Sequence, residues 1–269
     1  MRIRVIFKLK NRGGTIAFHH QHLLAQLIRG MLVKTNDKKF MDFKAYNFSG
    51  LKGQTRISRK GLHFFSSRIT LVIASPNQDF LDLIVHSIFE FKELQVGGLT
   101  LEPESVEREE QVAIEGPVKF ICISPIVLMK PNFGDQESKR FIHPSSDEFS
   151  DLLYESIMNR MAKETDFSQE ELESFYKFQL VPDAKYLERM DKNQKKFARI
   201  YSVYDQDVRY EVRGYTFPFT LYAAKEVLEF IFAIGLGHFT YKGFGMLDLA
   251  HQNPIARSVS YGANVSSNS

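Results

Sequence analysis

Three of the chain's eight histidines fall together, at His19, His20 and His22. Imidazole titrates near neutral pH, so such groups can both take and give a proton within one reaction cycle. A second chemical feature lies further on, in Gly235-Leu236-Gly237-His238-Phe239-Thr240-Tyr241-Lys242-Gly243-Phe244-Gly245. Glycine leaves the backbone N–H uncovered and permits positive φ. Gly235, Gly237, Gly243 and Gly245 are therefore expected to press main chain against a phosphate or ribose, with Lys242 beside them. The segment follows a predicted helix instead of opening one, which sets aside Rossmann and Walker loops. A glycine-rich hairpin that simply needs tight turns is the competing reading. The doubled G-x-G, the lysine and the place before a final strand favour a nucleic-acid contact.

Charge points the same way. Residues 1–70 hold fifteen Lys or Arg and two acids, a net +13, whereas residues 71–116 hold two basic residues and ten acids, a net −8. A strongly positive segment in a chain of net charge +3 is a field source suited to a polyanion. The competing reading is a solvated basic surface balanced by its acidic neighbour. The single cysteine, Cys122, sits in the apolar run Phe120-Ile121-Cys122-Ile123 and reads as a buried thiol. One cysteine excludes an internal disulfide or a cysteine-based zinc site. No run of eighteen apolar residues occurs, and the opening Met1-Arg2-Ile3-Arg4-Val5-Ile6 alternates like a strand, so a cytoplasmic protein with no membrane partner is expected.

The elements that must position these groups can be read from periodicity. Residues 2–10 read as a strand, and Leu23, Leu24, Leu27, Ile28, Met31 and Leu32 recur at helical spacing. Strands follow at 43–50 and 61–74, then a helix after Pro76, then a strand through Leu99-Thr100-Leu101. The order β-α-β-β-α-β is the ferredoxin-like motif. It recurs with a strand over 117–130, a helix over 147–163, strands near 174–181, 197–204 and 208–217, a helix over 220–234 and a strand at 245–250. The expected fold class is thus α+β, with tandem ferredoxin-like domains at 1–116 and 117–257 and a disordered Ser/Asn-rich tail at 258–269.

In that frame the chain resembles the RAMP proteins of CRISPR systems, and most of all their repeat-processing endoribonucleases. Phe18-His19-His20-Gln21-His22-Leu23-Leu24 looks like the family's first helix, Ile123-Ser124-Pro125-Ile126 like the strand opening its second domain, and Gly235 to Gly245 like its glycine-rich loop. The resemblance implies binding and cutting of the CRISPR repeat in precursor transcripts, with no metal and no cofactor. The adjacent 2′-OH would attack the phosphate, leaving a 2′,3′-cyclic phosphate. An interference complex and a second copy of the chain are the further partners it implies. Such chemistry needs a proton acceptor, a proton donor and a cation for the phosphorane charge.

On a helix, the core face through Leu24, Leu27, Ile28 and Met31 extends back to His20, while His22, Gln26 and Arg29 share the other face. His22 is the expected general acid or base, with His20 as helper and His19 third. Arg29 matches a tyrosine position of the family, and Lys44 matches a lysine near the scissile phosphate. The sequence departs from the family in having no histidine between His22 and His63. Either the first helix does the work, or the chain is a catalytically inactive repeat-binding subunit. For RNA binding the expected residues are Lys52, Arg56, Arg59 and Lys60 on a hairpin, Lys195, Lys196 and Arg199 ahead of Tyr201 and Tyr204, together with Arg29 and the glycine segment.

Overall fold

The computed structural model describes residues 1–130, 137–205 and 208–261. The chain divides into two compact units. The first comprises Met1–Gln111, Tyr241–Gly243 and the residues from Asn253 onward; the second comprises Val112–Thr240 and Phe244–Gln252. The first break falls between Gln111 and Val112, ahead of Gly116.

The first unit runs β1 (Arg2–Leu9), β2 (Thr15–Ile16), α1 (Gln21–Thr35), β3 (Asn47–Phe48), β4 (Thr55–Ser58), β5 (Gly61–Phe64), β6 (Arg68–Ala74), α2 (Gln78–Phe89), β7 (Leu94–Val96) and β8 (Leu99–Glu109). β8, β1, β6 and β3 lie side by side in that order, all antiparallel, with β7 also on β8. Alternation along β1 sends Ile3, Val5, Phe7 and Leu9 into the core, where Leu24, Ile28 and Met31 of α1 and Phe80, Leu81 and Ile84 of α2 join them. Asn77 caps α2 by accepting the Phe80 N–H at 3.0 Å. A separate small sheet has the order β2, β5, β4.

The second unit runs β9 (Val118–Cys122), β10 (Ile126–Val127), α3 (Asp147–Glu164), α4 (Gln169–Ser174), β11 (Gln179–Pro182), α5 (Ala184–Lys192), β12 (Ala198–Asp205), β13 (Val208–Tyr215), β14 (Phe219–Tyr222), α6 (Lys225–Ile234) and β15 (Leu247–Leu249). One sheet has the order β11, β14, β9, β15, and a second the order β10, β13, β12. Their core gathers Phe120, Phe149, Leu153, Ile157, Phe219, Val227 and Ile231. Among the described residues, no helix is long and apolar enough to cross a membrane.

The single strands expected over 61–74 and 117–130 are each two strands in different sheets, β5 with β6 and β9 with β10, and three further expectations change. The helix expected over 220–234 starts at Lys225, because Phe219–Tyr222 pairs with both β9 and β11. The strand expected near 174–181 is confined to 179–182 and flanked by two short helices. Ser168 caps the first of these in a capping box with Glu171, and Asp183 caps the second. The tail expected from 258 is a strand at its start: Ser258–Ser260 pairs with Glu107–Glu109 of β8, and the Tyr261 N–H donates to the Val106 carbonyl. The edge of β8 offers unpaired backbone groups, and the segment satisfies them. Residues 262–269 lie outside the described residues.

The charge asymmetry also resolves in part into ion pairs within the first unit. Lys10 meets Glu102 at 2.6 Å, Arg68 meets Glu104 at 2.6 Å, and Arg4 meets Glu107 at 3.8 Å. Glu109, nearly inaccessible, collects Arg2 at 3.8 Å, Arg4 at 3.4 Å and Arg257 at 3.1 Å. The acidic strand thus neutralises β1 and its neighbours, and only part of the +13 is directed outward.

Candidate active site

The three histidines straddle the start of α1 and separate sharply. His20 is buried at 4 % exposure. Its Nε2 accepts the Leu51 N–H at 2.9 Å, so the proton sits on Nδ1, which donates to the Ala17 carbonyl at 3.1 Å. Burial pushes its pKa down, against a smaller upward pull from that carbonyl. Gly50 permits the approach, since a Cβ there would stand 3.1 Å from Nε2. His20, expected as a helper to the chemistry, thus lies in the core with both ring nitrogens engaged by backbone. It is a neutral strut between α1 and the segment after β3.

His22, the second residue of α1 and half-buried, is differently placed. Its Nδ1 donates to the His19 carbonyl at 3.0 Å, which fixes the tautomer and puts the basic lone pair on Nε2. Gln26 and Arg29 on the same helix are exposed, as the face analysis requires. The first turn of α1 carries no acid, so no carboxylate cancels the positive end of its dipole.

Lys44 is exposed, and its Nζ lies 4.9 Å from the centre of the Tyr241 ring. Lys242 reaches the same ring at 5.2 Å. Two cations thus share one aromatic ring. Tyr46 is core: it is 5 % exposed, its ring lies 4.8 Å from that of Phe80, and burial raises its hydroxyl pKa.

The glycine segment departs most from expectation. Gly235, Gly237, Gly243 and Gly245 are all buried. The Gly235 N–H donates to the Ile231 carbonyl at 2.7 Å and the Gly245 N–H to the Pro125 carbonyl at 2.7 Å. A Cβ would stand 2.4 Å from the Val127 carbonyl oxygen at Gly237, 2.4 Å from the Phe48 ring at Gly243 and 1.9 Å from the Leu236 carbonyl oxygen at Gly245. These glycines admit close packing with positive φ. Unlike the exposed main chain expected to press on RNA, all four glycines are buried, and Gly235 and Gly245 spend their amides inside the protein. The segment instead clamps the bend between β9 and β10 and β10 itself: the Met246 N–H donates to Ser124 Oγ at 2.8 Å, and the His238 N–H to the Val127 carbonyl at 2.9 Å.

Arg160 of α3, which the sequence analysis did not single out, secures the other side. Its guanidinium donates to the carbonyls of Ile234, Gly235 and Gly237 at 3.1, 3.0 and 2.9 Å, where a cation suits the C-terminal end of α6. Burial lowers its pKa to about 10. His238 is lowered to about 4, first by burial and then by Arg160.

Of the basic groups, Arg56, Arg59 and Lys60 are exposed on the β4–β5 hairpin and Lys52 is half-buried before it. Lys195, Lys196 and Arg199 are exposed around the start of β12, with Tyr201 buried at 8 % and Tyr204 open at 44 %. Cys122, expected to be buried, is half-buried; its thiol donates to the Phe217 carbonyl, and desolvation pushes its pKa up to about 12. Among the described residues, no three His, Cys, Asp or Glu side chains are grouped as metal ligands would be.

Comparison with known proteins adds the lineage. The chain is 25% identical over 258 residues to the CRISPR-associated endoribonuclease Cas6 1 of Methanocaldococcus jannaschii, covering 91% of this chain and 92% of that protein. Its fold is similar to that of the solved product of a Cas6-related gene from Pyrococcus furiosus, with a TM-score of 0.75, 21% identity, and coverage of 94% of this chain and 99% of the other. It is also similar to a RAMP protein binding different RNA substrates, with a TM-score of 0.74, 19% identity and coverage of 93% and 99%. Residues 107–249 match the family described as CRISPR associated protein Cas6, C-terminal, over more than half of the chain. With that match added to the histidine-bearing first helix and the clamped glycine segment, the chain belongs to the CRISPR-associated Cas6 family.

Proposed function

We propose that this chain is an endoribonuclease that binds CRISPR repeat RNA in precursor transcripts in the cytoplasm and cuts it to release guide RNAs. The cut proceeds without a metal, by attack of the 2′-OH on the adjacent phosphate, and leaves a 2′,3′-cyclic phosphate. The two strand orders support a tandem ferredoxin-like reading of the fold. The orders β8, β1, β6, β3 and β15, β9, β14, β11 correspond, with α1 between β1 and β3, α2 between β6 and β8, α3 between β9 and β11, and α6 between β14 and β15.

One observation carries the catalytic assignment. Of the two imidazoles that α1 could offer in addition to His19, His20 is locked in the core, whereas His22 has a defined tautomer with its lone pair on Nε2, on the flank that also bears Arg29. In this reading His22 Nε2 takes or gives the proton, and Lys44, held against Tyr241, faces the phosphorane charge. Arg29, Lys52, Arg56, Arg59, Lys60, Lys195, Lys196, Arg199 and Lys242 contact the RNA.

Incubation of the cognate repeat with protein and EDTA tests this. His22→Ala is expected to lower the cleavage rate by about 10²–10⁴-fold with little change in binding. Full-rate cleavage by the variant would overturn the assignment. Tight repeat binding by the unaltered protein with no cyclic-phosphate end would identify a non-catalytic RNA-binding subunit instead.

A further inference from the structure

On the β2–β5 side of the small sheet of β2, β5 and β4, one face lies against the core and the other is open, while Ile57 at the β4 edge of the inner face is exposed. Ile16 and Phe64 point inward, with Phe64 fully buried. The register places Thr15, His63 and Arg56 opposite one another across the three strands, on the other face. The ladder continues beyond β5, where the Phe65 N–H donates to the Gln54 carbonyl. Phe65 is 45% exposed, and the Arg56 guanidinium lies 5.5 Å from the centre of its ring. His63 stiffens this face, with Nδ1 3.1 Å from Thr15 Oγ1 and Nε2 2.8 Å from Ser58 Oγ.

The surrounding charge is of one sign. No Asp or Glu occurs between Asp42 and Asp79. Lys10 and Arg68 are paired with the acids of β8. Arg56, Arg59 and Lys60 make no ion pair among the described residues and are exposed. An exposed aromatic ring, a guanidinium over it and uncompensated cations form a combined demand. The ligand must carry phosphates and flat π faces together. An acidic peptide meets only the first requirement, and a duplex hides its base faces in its own stack. Unpaired RNA meets both.

We propose that the open face of this sheet is a platform for single-stranded RNA, on which Phe65 and Arg56 stack an unpaired base while Arg59 and Lys60 hold the phosphates. This rests on the RNA-binding reading above and adds where, and in what form, part of the strand is gripped. Phe65 is the specificity element, since it rewards an unstacked base and ignores a paired one.

The test is fluorescence anisotropy with the full chain and two labelled probes. One is an oligoadenylate of about eight nucleotides, within the usual single-strand site size, and the other is a blunt RNA duplex of similar length. Phe65→Ala is expected to weaken oligoadenylate binding by roughly 5- to 150-fold. It should leave the salt slope and the duplex affinity unchanged, because no charge is removed. Phe65→Trp should restore binding, and thermal melts of both variants report that the fold is kept. Oligoadenylate affinity that does not change in Phe65→Ala, or an equal loss on the duplex, overturns the platform while leaving RNA binding intact. Failure of the unaltered protein to bind either probe or the repeat would sink the RNA-binding reading itself.

Discussion

His20 and His22 show how two positions on a helix assign opposite work to one side-chain type. His20 faces the core, accepts a backbone N–H and must stay neutral; His22 keeps its basic lone pair on the outer flank. His20→Ala leaves the Leu51 N–H buried without its acceptor, which costs about 1–3 kcal/mol by urea denaturation at pH 7. The acid limb gives a second readout. Unfolded histidine binds a proton below about 6.5, whereas His20 and His238 are held lower, the latter at about 4. Between those values the unfolded chain binds more protons, so stability falls as pH drops through that window. His20→Ala should flatten part of the slope, and an unchanged slope would show that His20 does not contribute to it. That His20 is a core residue was legible in the spacing of Leu24, Leu27, Ile28 and Met31. Its acceptor role was not, because Leu51 lies on a segment that no periodicity connects to α1.

Among the elements, the glycine segment teaches the most. Its amides engage residues 124–127, and its bare Cα atoms lie against backbone and rings. Gly245→Ala puts a Cβ 1.9 Å from the Leu236 carbonyl oxygen at φ +70. Left-handed strain and overpacking together predict a loss of roughly 2–5 kcal/mol. Gly116 is the internal control, with φ +67 and nothing within 4 Å of its would-be Cβ. Gly116→Ala should cost only the strain, about 1–2 kcal/mol. Equal losses in denaturant melts would refute the packing account. The sequence marks where glycine is needed but cannot tell a ligand's approach from a neighbouring chain's, since both select for a missing Cβ. The helices α1, α2 and α3 were legible because their apolar stripes are long. The short α4 and α5 were passed over although Ser168-x-x-Glu171 and Asp183 are cap signals, because six and nine residues hold little periodicity.

For the molecule as a whole, charge matters by its pairing more than by its sum. Arg68 is bidentate to Glu104, at 2.7 and 2.6 Å, whereas Arg59 and Lys60 have no acid partner among the described residues. Arg68→Ala should therefore leave repeat affinity almost unchanged. The Arg59→Ala, Lys60→Ala double variant should lower the salt slope by about 1.4, from roughly 0.7 per contact. A larger effect from Arg68 in salt titrations would show that net charge alone governs. The asymmetry between residues 1–70 and 71–116 was visible from composition, but its cancellation depends on β8 lying beside β1, which counting charges does not reveal. The same strand has a consequence for biosynthesis. Glu109 waits for a guanidinium 148 positions downstream, and the border of β8 waits for Ser258–Ser260. On the ribosome, the first-made sheet therefore stays unfinished, with one naked rim, until the nascent polypeptide has passed through the entire second unit.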